Sequence, residues 1–192
     1  MEHNPAEHYR RSIRLRGYDY KQSGAYFVTV VTHHRECLFG KVVDGEMRLN
    51  KAGCMVQAVW QQLPAHYPGV ECDAFVVMPN HIHGIIVLVG AGPRACPGKG
   101  QPQGVAPTLS LPDVVHRLKT VTTKRYADSM KKSGGSLFLG RLWQRNYFEH
   151  VIRNEPSLNH IRQYILDNPA RWAADRENPA VVTPEPKDAW RG

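Results

Sequence analysis

The sequence predicts an α+β protein with the ferredoxin-like βαββαβ arrangement, an antiparallel sheet and an added C-terminal helix. Some segments are rich in β-branched and aromatic residues, others repeat apolar residues with the period of a helix, and the two kinds alternate along the chain. If one small hairpin is left out, their order is β, α, β, β, α, β and a final α. The 192 residues, 42% of them hydrophobic, suffice for one domain with a full core.

The first half of the chain is predicted to hold the hairpin, one helix and three strands. β-branched and aromatic residues predict the first strand, and the apolar spacing of Met55, Val59 and Leu63 predicts the helix. Pro79-Asn80 signals a turn between two apolar runs. The predicted elements are a strand at 25–32, a hairpin of 37–43 and 46–49, a helix at 51–66 capped by Asn50, and strands at 70–78 and 81–89.

The second half begins with a Gly- and Pro-rich segment at 90–108, which we interpret as a flexible loop. Helical periodicity then predicts two helices, and Pro169 ends the second of them. The predicted elements are a helix at 111–132, a strand at 142–148 and a helix at 155–168. We expect a single domain at 23–170, a basic arm at 1–22 and a Pro-rich tail at 171–192 that lies on the surface or is disordered.

His81 and His83 open the third strand of the predicted sheet. Side chains alternate along a strand, so both imidazoles face one way and Ile82 faces the other layer. In the ferredoxin-like topology this strand is central, and the histidines lie on the face opposite the two long helices. Two imidazoles about 7 Å apart on one face can share a metal ion. Gly84 leaves room for a group that approaches the backbone.

The last helix carries the second half of a candidate site, because Tyr164 and Asn168 are four residues apart and share one face. A tyrosine hydroxyl has a pKa near 10 and is a poor nucleophile unless a divalent cation polarises the bond under attack. The Asn168 oxygen could join His81 and His83 as a third ligand, a donor set that suits Mg²⁺ or Mn²⁺ better than structural zinc. From spacing alone, a packed tyrosine and a helix C-cap before Pro169 is the stronger interpretation.

The chain carries an excess of positive charge, with 25 Lys and Arg against 17 Asp and Glu. On a small protein this excess predicts a polyanionic partner, nucleic acid in particular. The arm interleaves arginines, which bind phosphate, with tyrosines, which can stack on unpaired bases. A solvated surface is the alternative interpretation. The candidate DNA-binding residues are Arg10, Arg11, Arg14 and Arg16 in the arm and Arg117, Lys119, Lys124 and Arg125 on the second long helix.

Other classes of protein are disfavoured by composition. The chain has no run of 18 apolar residues and no apolar signal segment near its start, so we expect no membrane association. The four cysteines form no Cys-x-x-Cys pair. We therefore expect a reduced, cytoplasmic protein without disulfides or a cysteine zinc site.

Four phrases in chain order resemble the IS200-like tyrosine transposases, and among them the REP-associated tyrosine transposases. One phrase contains His81-Ile82-His83, which is similar to the His-hydrophobic-His motif of the HUH single-strand endonucleases. Each phrase is weak alone, and four in order over residues 9–172 are specific. The phrases are Gly24-Ala25-Tyr26-Phe27-Val28-Thr29, Met78-Pro79-Asn80-His81-Ile82-His83, Leu142-Trp143-Gln144-Arg145-Asn146-Tyr147 and Tyr164-Ile165-x-x-Asn168-Pro169.

This resemblance implies metal-assisted transesterification of single-stranded DNA near hairpins. It implies that Tyr164 is the catalytic residue and that His81, His83 and Asn168 hold the divalent metal. In that reaction the tyrosine attacks a phosphodiester, stays joined to the 5′-phosphate and frees a 3′-hydroxyl that can reverse the step. The family contains monomers and dimers, so the resemblance leaves a homodimer open.

Two other functions and one other nucleophile compete with this interpretation. A non-catalytic binder of single-stranded or hairpin nucleic acid would carry stacking aromatics on its strands and would need no metal. A zinc-dependent hydrolase is disfavoured because no His-Glu-x-x-His motif or acidic general base accompanies His81 and His83. Tyr147, at the end of a predicted strand, is the second candidate nucleophile, but Val151 stands four residues on where Tyr164 has an amide.

Overall fold

The computed structural model of the protein describes residues 15, 17–89, 109–134, 140–182, 184–186 and 189–190. The predicted loop at 90–108 and the four arginines of the arm (Arg10, Arg11, Arg14 and Arg16) lie outside the described residues. The described elements are β1 (Gly24–Val31), β2 (Gly40–Val43), β3 (Glu46–Leu49), α1 (Lys51–His66), β4 (Val70–Val77), β5 (His81–Leu88), α2 (Leu111–Lys132), β6 (Phe148–Ile152) and α3 (Glu155–Asp167).

Four strands form one antiparallel sheet in the order β4-β5-β1-β6, and β2 and β3 form a separate hairpin. β5 and β1 are therefore the central pair, as the ferredoxin-like topology requires. Their register places His83 opposite Thr29 and His81 opposite Val31. The predicted fold class and the order of the elements are confirmed.

The two faces of the sheet bury different cores. Tyr26 of β1 packs with α1 and α2 in the larger core, whereas its neighbour Phe27 packs with Tyr164 of α3 on the other face. The histidines of β5 lie on the α3 face, as strand alternation predicts. Gly84 faces the larger core, where the Trp60 ring fills the space beside it. Its missing side chain therefore serves packing and not an approaching ligand.

The predicted helices have nearly the expected bounds because their ends carry capping residues. The Asn50 side chain accepts from the backbone of the first turn of α1, and Ser110 and Asp113 form a capping box at the start of α2. Pro64 lies inside α1 without ending it, and the Trp60 carbonyl that it leaves unpaired accepts from the Cys72 thiol over 3.7 Å. None of the helices in the described ranges is long and apolar enough to cross a membrane.

The prediction of a strand at 142–148 is wrong, because the strand is β6, Phe148–Ile152. Leu142 and Trp143 are buried, but they anchor an irregular segment. Trp143 makes one isolated bridge with Thr32 and donates its indole N–H to Thr122 Oγ1 over 2.8 Å. Buried apolar side chains alone therefore do not distinguish a strand from an anchored loop.

The described residues of both segments that flank the predicted domain include some that pack against it. Tyr20 is 8% exposed and contacts Tyr26, so it does not offer its ring to a base. In the tail, Trp190 is 5% exposed and lies 5.8 Å from Phe27, measured between ring centres, and Asp175 is 3% exposed. The expectation of a surface or disordered tail is therefore wrong for Asp175 and Trp190.

Candidate metal and nucleophile site

The two histidines of β5 approach each other through their Nε2 atoms, which are 3.1 Å apart. His81 is fully buried and His83 is 4% exposed. His83 Nδ1 lies 2.8 Å from Thr29 Oγ1, and His81 Nδ1 lies 2.9 Å from Asn80 Oδ1. Each ring thus keeps one nitrogen for a supporting side chain and turns the other towards a shared point.

Asn80 determines which nitrogen of His81 carries the proton. Its amide nitrogen donates to the backbone carbonyls of Arg35 (3.0 Å) and Glu177 (2.7 Å), so its oxygen faces His81. A carboxamide oxygen only accepts, so His81 is protonated on Nδ1 and presents a lone pair at Nε2. The local sequence explains Asn80 as a turn residue. Its second role, to fix the proton of His81, depends on its hydrogen bonds to Arg35 and Glu177, which are distant in sequence.

The histidine pair fits a divalent metal. If Thr29 Oγ1 accepts from His83 Nδ1, both Nε2 lone pairs face each other across 3.1 Å. Two ligands bound at roughly 2.1 Å to one ion, at angles near 90–110°, are about 3.0–3.4 Å apart. Burial lowers the pKa of His81 to about 4 and that of His83 well below its usual value. Both imidazoles are therefore neutral, which is the form that binds metal.

Asn168 caps α3 and is 1% exposed. Its side chain contacts both His81 and Tyr164. Among the described residues, its Oδ1 has no hydrogen-bond partner. A buried acceptor left unpaired costs about 1–3 kcal/mol, and a cation would satisfy it. The predicted third ligand thus lies beside the histidines with an oxygen available.

Asp175 joins this group from the tail, where no sequence pattern pointed to it. Its Oδ2 lies 3.7 Å from His81 Nε2, and the ligand atoms of His81, His83 and Asp175 all lie within 4.8 Å of one another. Burial raises the pKa of this carboxyl. The expectation that no acidic group accompanies the histidines is therefore wrong, because the chain returns to the site after α3.

Tyr164 lies next to the histidine pair. Its ring centre is 5.4 Å from that of His83, and the Arg171 guanidinium carbon is 5.5 Å from the Tyr164 ring centre. Burial, followed by the nearby Asp175, raises the pKa of Tyr164 to about 12, while Asn168 and Arg171 oppose this rise. The hydroxyl is therefore protonated at neutral pH and needs activation before it can attack.

The same side chains line a cavity of about 350 Å³. Its size falls in the range of small-ligand pockets. Its lining is mostly apolar and aromatic, and it also includes carboxylate, guanidinium and hydroxyl side chains. The lining residues are Phe27, Thr29, His83, Phe148, Tyr164, Asp175, Arg176, Glu177 and Trp190.

Two of the four cations predicted on α2 lie against aromatic rings of the fold. The Lys119 ammonium donates to the backbone carbonyls of residues 144–146 over 3.0–3.4 Å and lies 5.3 Å from the centre of the Tyr147 ring. The Arg117 guanidinium lies 4.9 Å from the Tyr67 ring. Tyr147 itself belongs to the larger core. The second candidate nucleophile is therefore on the face of the sheet away from the histidines.

The other two predicted cations of α2, Lys124 and Arg125, are exposed, as Arg117 also is. Arg125 donates to Gln62 over 3.1 Å. Lys124 lines a broad groove that also contains Arg141 and Arg145. This groove concentrates positive charge beside the segment that follows α2, which is a suitable arrangement for phosphate groups.

Comparison with known proteins finds relatives over most of the chain. Residues 104–168 match the family described as "Transposase IS200 like". An uncharacterized protein of Haemophilus influenzae is 37% identical over 186 residues, which are 91% of this chain and 96% of that protein. A second Haemophilus influenzae protein, named as a proposed REP-associated tyrosine transposase, is 24% identical over 156 residues, 80% of this chain and 74% of that protein.

The fold is similar to a solved structure of a REP-associated tyrosine transposase bound to a REP hairpin. The TM-score is 0.51 at 23% identity, and the match covers 82% of this chain and 73% of that chain. The resemblance predicted from the four sequence phrases is confirmed.

Proposed function

We propose that this chain, whose residues 104–168 match the IS200-like transposase family, cleaves and rejoins single-stranded DNA at hairpin sequences through Tyr164. The observation that carries the proposal is the place of this tyrosine, next to His83 and Asn168 in one buried site. A packed helix residue would need no such neighbours. A nucleophile needs them, because the group that it attacks must be polarised by the same site.

The metal in this proposal is Mg²⁺ or Mn²⁺. His81, His83 and Asn168 would hold it, and the Asp175 carboxylate is a further oxygen within reach. When bound, the ion would polarise the phosphodiester and stabilise the leaving oxygen. The mixture of imidazole nitrogen and neutral or anionic oxygen donors supports this choice.

Tyr164 performs the covalent step in the proposal. It loses its hydroxyl proton to solvent, its oxygen forms a bond to phosphorus, and the bond from phosphorus to the 3′-oxygen breaks. The 3′-oxygen takes up a proton and leaves as a hydroxyl, while the 5′-phosphate stays on Tyr164. Arg171 lowers the pKa of the phenol and so stabilises the phenolate. Attack by a 3′-hydroxyl reverses the step and rejoins a strand.

The proposed partner is single-stranded or hairpin DNA. The similar protein solved with a REP hairpin supports it, as does the cationic groove that contains Lys124. One chain holds both the histidines and Tyr164, so we propose a site that is complete within one copy, in a monomer or a homodimer alike. We place the reaction in the cytoplasm, where the cell's DNA lies.

Covalent attachment tests the proposal. The protein is mixed with 3′-labelled single strands copied from the hairpin repeats that flank its gene, with Mn²⁺ or with a chelator, and run on a denaturing gel. We expect a labelled protein band that requires Mn²⁺ and that Tyr164→Phe abolishes. Tyr147→Phe is the matched control and keeps the band, because its ring belongs to the other core.

Two results would contradict the proposal. The first is a band that survives in Tyr164→Phe and disappears in Tyr147→Phe, which would make Tyr147 the nucleophile, on the face of the sheet away from the histidines. Tight DNA binding without a band under any condition indicates the alternative function, a non-catalytic binder of single-stranded or hairpin nucleic acid.

A further inference from the structure

The chain crosses the candidate site after α3, and we call residues 172–178 the strap. The Trp172 ring lies 6.1 Å from the His81 ring, measured between centres. The Asp175 carboxylate lies 3.7 Å from His81 Nε2, and the Glu177 carbonyl accepts from Asn80 over 2.7 Å. These contacts hold the strap against the histidine pair, and three of its residues, 175–177, line the cavity there.

The strap places one carboxylate beside the histidine pair and another on the Arg35 guanidinium. Asp175 faces the histidine pair. Glu177 Oε2 lies 3.0 Å from Arg35 Nε. Carboxylate and phosphate oxygens accept from the same donors, and a guanidinium binds either one. A strand that displaced Glu177 from Arg35 would therefore meet a guanidinium that can bind its phosphate.

The backbone holds Arg35 beside the metal ligands at a conformational cost. His34 and Arg35 have φ values of 56° and 58°, in the left-handed region that non-glycine residues rarely adopt. Such strain persists where the surrounding structure fixes it, often at functional sites. Here Asn80 fixes it, because the same amide group that orients His81 also donates to the Arg35 carbonyl over 3.0 Å. The Arg35 side chain remains 47% exposed.

We propose that Arg35 binds a phosphate of the DNA strand that enters the site, and that the Glu177 carboxylate occupies Arg35 until a phosphate of the DNA displaces it. The inference rests on the proposed function only in that the displacing ligand is single-stranded DNA. It assigns a substrate-binding residue that lies outside the four sequence phrases and outside the basic helix. The Arg35–Glu177 ion pair then breaks whenever DNA binds, and the energy of the new phosphate contact is reduced by the loss of the old one.

DNA affinity measures this exchange without any cleavage. All variants carry Tyr164→Phe, and binding of a fluorescent single strand from the flanking repeats is followed by anisotropy. Glu177→Gln should bind about 3- to 10-fold more tightly, and Arg35→Gln about 3- to 10-fold more weakly. Arg35→Gln should also reduce the salt dependence by about 0.7 in the slope of log K against log salt. Glu177 Oε1 also lies 3.4 Å from Arg176 Nε. In the double variant the gain from Glu177→Gln should therefore shrink to the part that comes from Arg176, because Arg35 is absent.

Glu71→Gln and Arg153→Gln are matched controls, since they make the same charge changes at exposed positions. Glu71 pairs with Val87, and Arg153 follows Ile152, which pairs with Ala25, so both lie at the end of the sheet away from His81. We expect neither control to change affinity as much as its counterpart near the site. Thermal melting confirms that each variant folds.

If Glu71→Gln and Glu177→Gln raised DNA affinity equally, the gain would come from net charge alone, and the inference would be overturned. A gain from Glu177→Gln that is equally large in the Arg35→Gln background would also overturn it. Absence of DNA binding by the parent protein and by every variant would instead overturn the proposed function itself, which keeps the two failures apart.

Discussion

At position 80, alanine would remove the oxygen that keeps the proton of His81 on Nδ1. His81 could then also be protonated on Nε2, and that tautomer has no lone pair there for a metal. We therefore expect Asn80→Ala to bind Mn²⁺ about 10- to 100-fold more weakly in a calorimetric titration. Asn50→Ala is the matched control. It removes the cap of α1 and should cost about 1 kcal/mol of stability without changing metal affinity. Wild-type affinity in Asn80→Ala would contradict the assigned role.

At position 84, the absent side chain makes room for Trp60. A Cβ there would lie 2.4 Å from the Trp60 ring and 3.0 Å from that of Phe75, and these two rings stack at 4.3 Å between centres. We expect Gly84→Ala to reduce the free energy of unfolding by about 1–3 kcal/mol in chemical denaturation. Gly24→Ala, whose new Cβ meets nothing closer than 3.9 Å, should be neutral. A neutral Gly84→Ala would mean that the Trp60 ring moves aside freely.

Individual site residues could be predicted where a regular element fixes their spacing. Strand alternation placed His81 and His83 on one face, and the helical repeat placed Tyr164 with Asn168. The contribution of Asp175 could not be predicted, because it depends on the path of the chain after α3 and on no local period. The local repeat of one strand or helix positions the predicted residues, whereas contacts between segments distant in sequence position Asp175.

The α3 helix, which carries Tyr164, is fastened to β4 by Arg162 and Asp73. The hydrogen bond from Arg162 lowers the pKa of Asp73. A carboxyl whose pKa is lower in the folded state adds stability above its unfolded pKa, and this contribution is lost as the pH falls. We therefore expect Asp73→Asn to cost about 0.5–1 kcal/mol at pH 7, a figure limited by solvent screening, and much less near pH 3.

Urea denaturation of wild type and Asp73→Asn at the two pH values checks this expectation. An equal loss at both would show that Asp73 acts through packing and not through its charge. Since α3 also packs Ile161 and Ile165 under the sheet, the helix should stay folded in either case.

Among the elements, helices were easier to predict than strands. Asn50 and the Ser110–Asp113 pair mark helix ends by hydrogen bonds within one turn, so the sequence carries them locally. β6 is different, because its strand character comes from pairing with β1. Leu142 and Trp143 looked more like strand residues than Phe148, yet their burial serves the α2 contact.

In the whole molecule, one face of the sheet packs the larger hydrophobic core and the opposite face carries the candidate site. The face covered by α1 and α2 buries the larger core, and the face covered by α3 and the tail carries the candidate site. Alternation in β1 and β5 made this division predictable. The burial of Trp190 was not predictable, because a short Pro-rich segment has no period that indicates where it docks.

Identification of the residue that carries DNA tests the central claim most directly. The covalent complex formed with Mn²⁺ is digested with trypsin, and the peptide joined to the nucleotide is sequenced by mass spectrometry. Trypsin separates Tyr164, in the peptide 163–171, from Tyr147, in the peptide 146–153. We predict the nucleotide on Tyr164 in wild type and no adduct in Tyr164→Phe. An adduct on Tyr147, or on any other residue, would contradict the account.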